Sequence, residues 1–271
     1  MEALVRVPPA SDGEMPTSRL DEPHAGPASW MSSRLVRLAL ATVVFGGVGF
    51  LVARYRASHR DHGPPWPGAV EAHVPHLQGM ITLDGDADDP GWQGPSMRTG
   101  AFVGTDGLSP VHPYSEARIL WGNGFLYLNL YAADEDIRAL GKTPDSLAPD
   151  EDAFHLVFTD RTTERILDIN ALGVVTDGIR ARGESTPPDR SWTSEAHVSH
   201  ELDGTPNKPG DNDEEWVLEV AIPFESLGLS GRAGERIGLS MDRCDTPHGG
   251  KRVCGSWGET GQRRILVLDA P

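Results

Sequence analysis

The chain has 271 residues and a formal net charge of -16, from 40 acids against 24 Lys and Arg. Residues 1–71 carry acids and bases in equal number, so the whole imbalance lies in 72–271. A surface of that sign repels nucleic acid and anionic polymers and suits neutral ligands or cations.

Residues 1–34 read as a disordered tail, because Pro8, Pro9, Pro16, Pro23 and Pro27 interrupt a mix of Ser, Gly and scattered charge with no apolar period. Residues 35–53 read as a transmembrane anchor. The uncharged run 38–53, extended by Leu35 and Val36 with Arg37 snorkelling, just reaches the length that crosses a bilayer. A cleaved signal peptide is the first rival, against which stand a long lead and the lack of an A-x-A site. A buried helix of a soluble domain is the second, and its flanks would not be this polar. Arg34 and Arg37 precede the run while Arg54, Arg56 and Arg60 follow it, so charge alone does not orient it. Residues 54–74 read as a linker stiffened by Pro64, Pro65 and Pro67. The spacing of His59, His62, His73 and His76 is too irregular for a metal tract.

From residue 77 the pattern is all-β. Strands are expected at 77–83, at 115–121 and 125–132 around Gly122-Asn123-Gly124, and at 153–159 and 164–170 around Asp160-Arg161-Thr162-Thr163. Further strands are expected at 192–200, 236–242 and 264–268. The centre is 215–222, where Trp216, Leu218, Val220 and Ile222 alternate with Val217, Glu219 and Ala221, until Pro223 ends the pairing. Many short strands with Gly and Asp turns, rich in the 31 Gly and 22 Pro, predict a β-sandwich.

Candidate chemistry is sparse. Asp134-Glu135-Asp136 and Asp150-Glu151-Asp152 lie at strand ends, where solvated turns place acids anyway, and no pair stands out for hydrolysis. No G-x-S-x-G, H-E-x-x-H or phosphate loop is present. The oxygen-rich loop 203–215 offers Asp203, Asn207, Asp211 and Asp213 as calcium ligands, without EF-hand spacing; its alternative is a solvated acidic loop. Cys244 and Cys254 flank a turn-rich segment and read as a disulfide if this part lies outside the cytoplasm. Free thiols, or a metal with His248 close by, stay open.

A series of segments in order resembles the family 9 carbohydrate-binding modules and their DOMON-like relatives. Ile81-Thr82-Leu83-Asp84-Gly85, with Asp88-Asp89 and Trp92, is similar to the family's opening. Residues 117–128 resemble its hairpin, Asp150-Glu151-Asp152-Ala153-Phe154 its acidic strand entry, and Trp216 to Gly228 its W-x-x-E-x-x-I-P-F-x-x-L-G segment. The resemblance implies an immunoglobulin-like, jelly-roll sandwich over 75–271. It implies non-catalytic recognition of a neutral glycan or a sugar end, and often structural calcium. It also implies an exported domain, which would place the N-terminus inside. Such modules are often attached to glycoside hydrolases, although no catalytic constellation is seen here.

In that light Trp92, Trp121 and Trp216, within the resembling segments, are assigned to packing. Trp192 and Trp257, on or beside loops, are the candidates for stacking on a sugar ring, with Arg118, Asn170 and Arg243 as hydrogen-bonding partners. Ion pairing at sheet ends is the alternative role for those polar groups. Two other functions compete. Some DOMON-like relatives hold haem between Met and His or Lys, which draws attention to Met80, Met97, Met241 and His248. A structural interaction domain with a degenerate sugar site is the other.

Overall fold

The computed structural model describes residues 69–104, 107, 109–258 and 263–271. The tail, the anchor expected at 35–53 and most of the linker lie outside these residues. Among the described residues no helix is long and apolar enough to cross a membrane.

The elements run β1 (Val70–Val74), a single helical turn α1 (Pro90–Gln93), β2 (Met97–Arg98), β3 (Ser115–Gly122), β4 (Phe125–Ala133), β5 (Ala153–Thr159) and β6 (Thr163–Asn170). They continue with β7 (Val175–Ala181), β8 (His197–Asp203), β9 (Glu215–Pro223), β10 (Arg236–Asp245), β11 (Val253–Ser256) and β12 (Arg264–Leu268). One sheet has the order β1-β12-β10-β5-β6-β7, with β11 also paired to β10; the other is β2-β3-β4-β9-β8. Only β1 on β12 is parallel; the other strand pairs are antiparallel.

Alternation along the strands decides the core. Ile119, Trp121, Leu128 and Leu130 of one sheet and Phe154, Leu156, Leu167 and Leu239 of the other belong to one buried cluster. Trp216 of β9 meets Phe154 of β5 edge-on, with ring centres 5.2 Å apart, so an aromatic pair joins the two sheets. Trp92, Trp121 and Trp216 are all buried, as expected.

The five-stranded sheet is also covered on its outer face. Leu120, Tyr127 and Ala221 on that face pack with Leu77 and Trp92 in a second cluster, joined by Ile81 and Leu83. Here the expected first strand at 77–83 fails. Leu77 N–H still donates to Trp121 O at 2.7 Å, but the chain then leaves the sheet and runs over it as a strap. Its apolar residues look strand-like because one side of a strap laid on a sheet is buried too.

The strap is tied down by Glu219, fully buried on β9. Its carboxylate accepts Asp84 N–H at 3.1 Å, Gly85 N–H at 3.0 Å and Trp92 Nε1–H at 2.6 Å. Gly85 has φ +103°, and a Cβ there would lie 2.5 Å from the His200 carbonyl carbon, so only glycine fits. The early Asp-Gly…Trp segment and the late Trp-x-x-Glu segment are thus two halves of one scaffold contact. Burial pushes the Glu219 carboxyl above its usual range, against the pull of these three donors.

Other boundaries shift. β1 lies within the stretch expected as linker, 54–74, yet pairs with β12 and so is part of the sandwich. The strand expected at 192–200 starts only at His197. β7 and β11 were not foreseen; β7 contains Asp177 and Gly178, which weaken its alternation. Cys244 and Cys254 face each other in the β10–β11 pair and form the expected disulfide.

Candidate functional site

Trp192 lies in the connection from β7 to β8, and that connection is held at both ends. Asp189 makes two backbone hydrogen bonds with Ile179, at 3.1 and 2.7 Å. The Asp189 carboxylate accepts Ser191 N–H at 2.9 Å and its hydroxyl at 2.7 Å, and these bonds hold its pKa below the usual range. After Trp192, Ser194 N–H donates to the buried Asp177 carboxylate at 2.6 Å, while Arg190 donates to Asp177 O at 2.9 Å. Glu195 then takes a left-handed conformation, φ +54°, before β8 begins. The Trp192 side chain is partly buried and packs against the main core.

Two clefts open on either side of this ring. One, of about 800 Å³, lies where the edges of β7 and β8 part, with Asp145, Val175, Arg190 and Ser199 among its lining residues. The other, of about 1050 Å³, lies at the sheet end, with Phe125, Pro223, Phe224 and Glu225 on its wall. Trp192, Thr193, Glu195 and His197 line both. Phe125 follows the Asn123-Gly124 turn and tilts against the exposed His197 ring, 6.1 Å between centres. This aromatic surface, rimmed by carboxylates and hydroxyls, has the composition of a carbohydrate cleft: apolar faces for the ring, a few polar groups for its hydroxyls.

The other sequence candidates do not join it. Trp257 is only 5% exposed, sits in the main core and has the Arg264 guanidinium 5.0 Å from its ring centre, so it offers no face to a ligand. Asn170 is fully buried and organises its own turn, accepting Leu172 and Val174 N–H and donating to Gly141 O. Arg118 stacks on Trp92, 5.4 Å from its ring centre, and donates to Asn129 at 3.2 Å, which makes it part of the strap contact. Arg243 is 2% exposed and donates to Asp134 at 2.6 Å and Asp245 at 3.3 Å. The residues that sequence reasoning missed are Phe125, Glu195, His197 and Glu225. Phe125 carried a signal: the first residue after a tight hairpin turn stands at a sheet end, where its ring cannot be fully covered.

The acidic motifs act as backbone acceptors. Glu151, fully buried, accepts Gly141 N–H at 2.9 Å and Ala148 N–H at 2.6 Å. Asp152 accepts Arg138 N–H at 2.6 Å and Thr246 N–H at 2.7 Å, tying the loops after β4 and β10 together. Burial, with Asp134 close by, pushes its carboxyl up to about 7. Loop 203–215 behaves alike. Asp213 accepts Ile137 N–H at 2.8 Å and Thr205 N–H at 2.7 Å, and Asn207 pairs with Ala139 through both ends of its amide. Asp211 faces Lys208 at 3.4 Å, and Asp203 is exposed. Among the described residues the one acidic trio within metal-binding distance is instead Asp134, Asp152 and Asp245. Calcium does not fit it, because Arg243 already supplies the positive charge at its centre.

The haem alternative fares no better. Met97 and Met241 are packed in the core, the exposed Met80 lies on the strap, and the His248 ring is held by Asp136 at 2.8 Å.

No protein-family profile matches the chain, and no curated protein matches it. Among solved structures, it is similar to a protein from Bacteroides uniformis provisionally described as carbohydrate-binding. That likeness has 13% identity and a TM-score of 0.56, and covers 74% of this chain and 100% of that one. Family 9 carbohydrate-binding modules from Caldicellulosiruptor kristjanssonii also match. The one in complex with cellotriose has 14% identity, a TM-score of 0.48, and coverage of 74% and 94%. The one with glucose has 13%, 0.47, and coverage of 73% and 96%. The chain therefore shares the two-sheet sandwich fold of the Bacteroides uniformis protein.

Proposed function

We infer that this is a non-catalytic, jelly-roll-type module that binds a neutral glycan in the clefts beside Trp192. The observation that carries this reading is the position of Trp192: a half-exposed indole on a loop fixed at both ends, with Phe125 and His197 on the same wall. A preorganised aromatic platform loses little freedom on binding and matches the apolar face of a pyranose. The neighbouring carboxylates Glu195 and Glu225, on a chain of net charge -16, favour a neutral ligand over an acidic one. The buried acids are engaged by fixed partners: Glu151 and Asp152 accept backbone N–H groups, and Asp134 and Asp245 face Arg243.

The apolar run at 35–53 supports a single-pass anchor with this domain exported, and the Cys244–Cys254 disulfide suits an oxidising compartment. Such a tether would hold the bound glycan at the membrane surface and raise its effective concentration there. The test is a glycan array followed by calorimetry. Saturable binding to a neutral glycan is expected; a well-folded protein that binds no glycan would overturn the reading.

A further inference from the structure

We propose that the two clefts flanking Trp192 form one through-running groove that takes an internal stretch of an oligosaccharide chain and not only its end. This rests on the glycan reading above. Its independent ground is the shared wall: Trp192, Thr193, Glu195 and His197 line both clefts, so the two adjoin along this loop. Both clefts are open to solvent. A site for a chain end needs a wall against which the terminal hydroxyl stops, whereas a chain that crosses the shared wall passes from one cleft into the other.

Size points the same way. At about 800 and 1050 Å³, each cleft falls near the range of ~300–1,000 Å³ that holds a drug-sized ligand. A single sugar ring leaves most of that space unfilled. The two halves also differ in chemistry. The sheet-end cleft is walled by Phe125, Phe224, Pro223 and Leu229 with Ser226 and Ser230 on its rim, and it holds no Lys or Arg. It is suited to stacking a neutral ring and unsuited to a uronate. The cleft between β7 and β8 adds Arg190, Asp145, Ser191 and Ser199 and is suited to hydrogen bonds with hydroxyls. A chain laid across Trp192 would stack at one end and be hydrogen-bonded at the other.

The experiment uses the full-length chain in a sugar-free detergent. Calorimetry would follow β-1,4-linked glucose, mannose and xylose, from single sugars to hexamers, with each hexamer also tested after borohydride reduction of its end. For the sugar that binds, affinity should rise at least tenfold from monomer to hexamer, and the reduced hexamer should bind as well as the native one. Tightest binding by the single sugar, or loss of binding on end reduction, would overturn the through-running groove while leaving glycan binding intact. No binding to any of the ladders would overturn both.

Discussion

Two polar regions of the sandwich look alike in sequence and behave in opposite ways. At one end Asp134, Asp152 and Asp245 surround Arg243, all buried, with nearly every carboxylate oxygen meeting a fixed donor. At the Trp192 loop Asp189 and Asp177 fix the chain before and after the indole, and the partly buried Trp192 ring stays on the wall of two open clefts. The lesson is that charge density does not mark a site. The acid-rich end is spent on holding loops, whereas the sparser groove keeps unspent surface.

Substitutions should separate the two regions. The largest effect is expected at the buried end. Arg243→Leu leaves Asp134 and Asp245 without their counter-charge and should cost about 3–5 kcal/mol of stability. Trp216→Ala should cost a similar ~3–5 kcal/mol by opening a cavity at the sheet contact. Urea unfolding would read both, and a loss below about 1 kcal/mol for either would mean that the cluster or the aromatic pair is not structural.

The pH response sharpens the contrast next. Burial holds the Asp152 carboxyl at about 7, above its ordinary 3.8. Folding then takes up a proton between those values, so this group's contribution is complete below its unfolded pKa and is lost as pH rises through about 7. The urea midpoint of the native protein should fall between about pH 5 and about pH 8 more steeply than that of Asp152→Asn. Equal slopes would remove Asp152 from the account. The smallest effect concerns calcium. With Asn207 and Asp213 engaged by backbone groups, added calcium should move Tm by less than about 1 °C. A rise of several degrees reversed by a chelator would restore the metal expected from loop 203–215.

Much of the fold was legible because it follows from alternation and turn chemistry. The β3–β4 hairpin around Asn123-Gly124, the β5–β6 hairpin and β12 stand close to where the pattern puts them. The strap was misread because burial of one side gives an extended segment the same period as a strand. β7 was missed because Asp177 faces the loop that carries Trp192, so a tertiary contact sets its residue type. The sequence puts Trp192 on a loop, and it lies there, lining both clefts. Trp257 had the same context, but its covering partner, Arg264, is on a different strand and leaves no mark in the local sequence. Phe125 and His197 come together across strands β4 and β8, which linear spacing does not reveal.

The most direct test of the central claim is calorimetry of the best-binding neutral glycan against the native protein, Trp192→Ala and Trp257→Phe. The account predicts at least a tenfold loss of affinity, about 1.4 kcal/mol, for Trp192→Ala with its fold intact, and native affinity for Trp257→Phe. Unchanged binding by Trp192→Ala, or loss confined to Trp257→Phe, would contradict it.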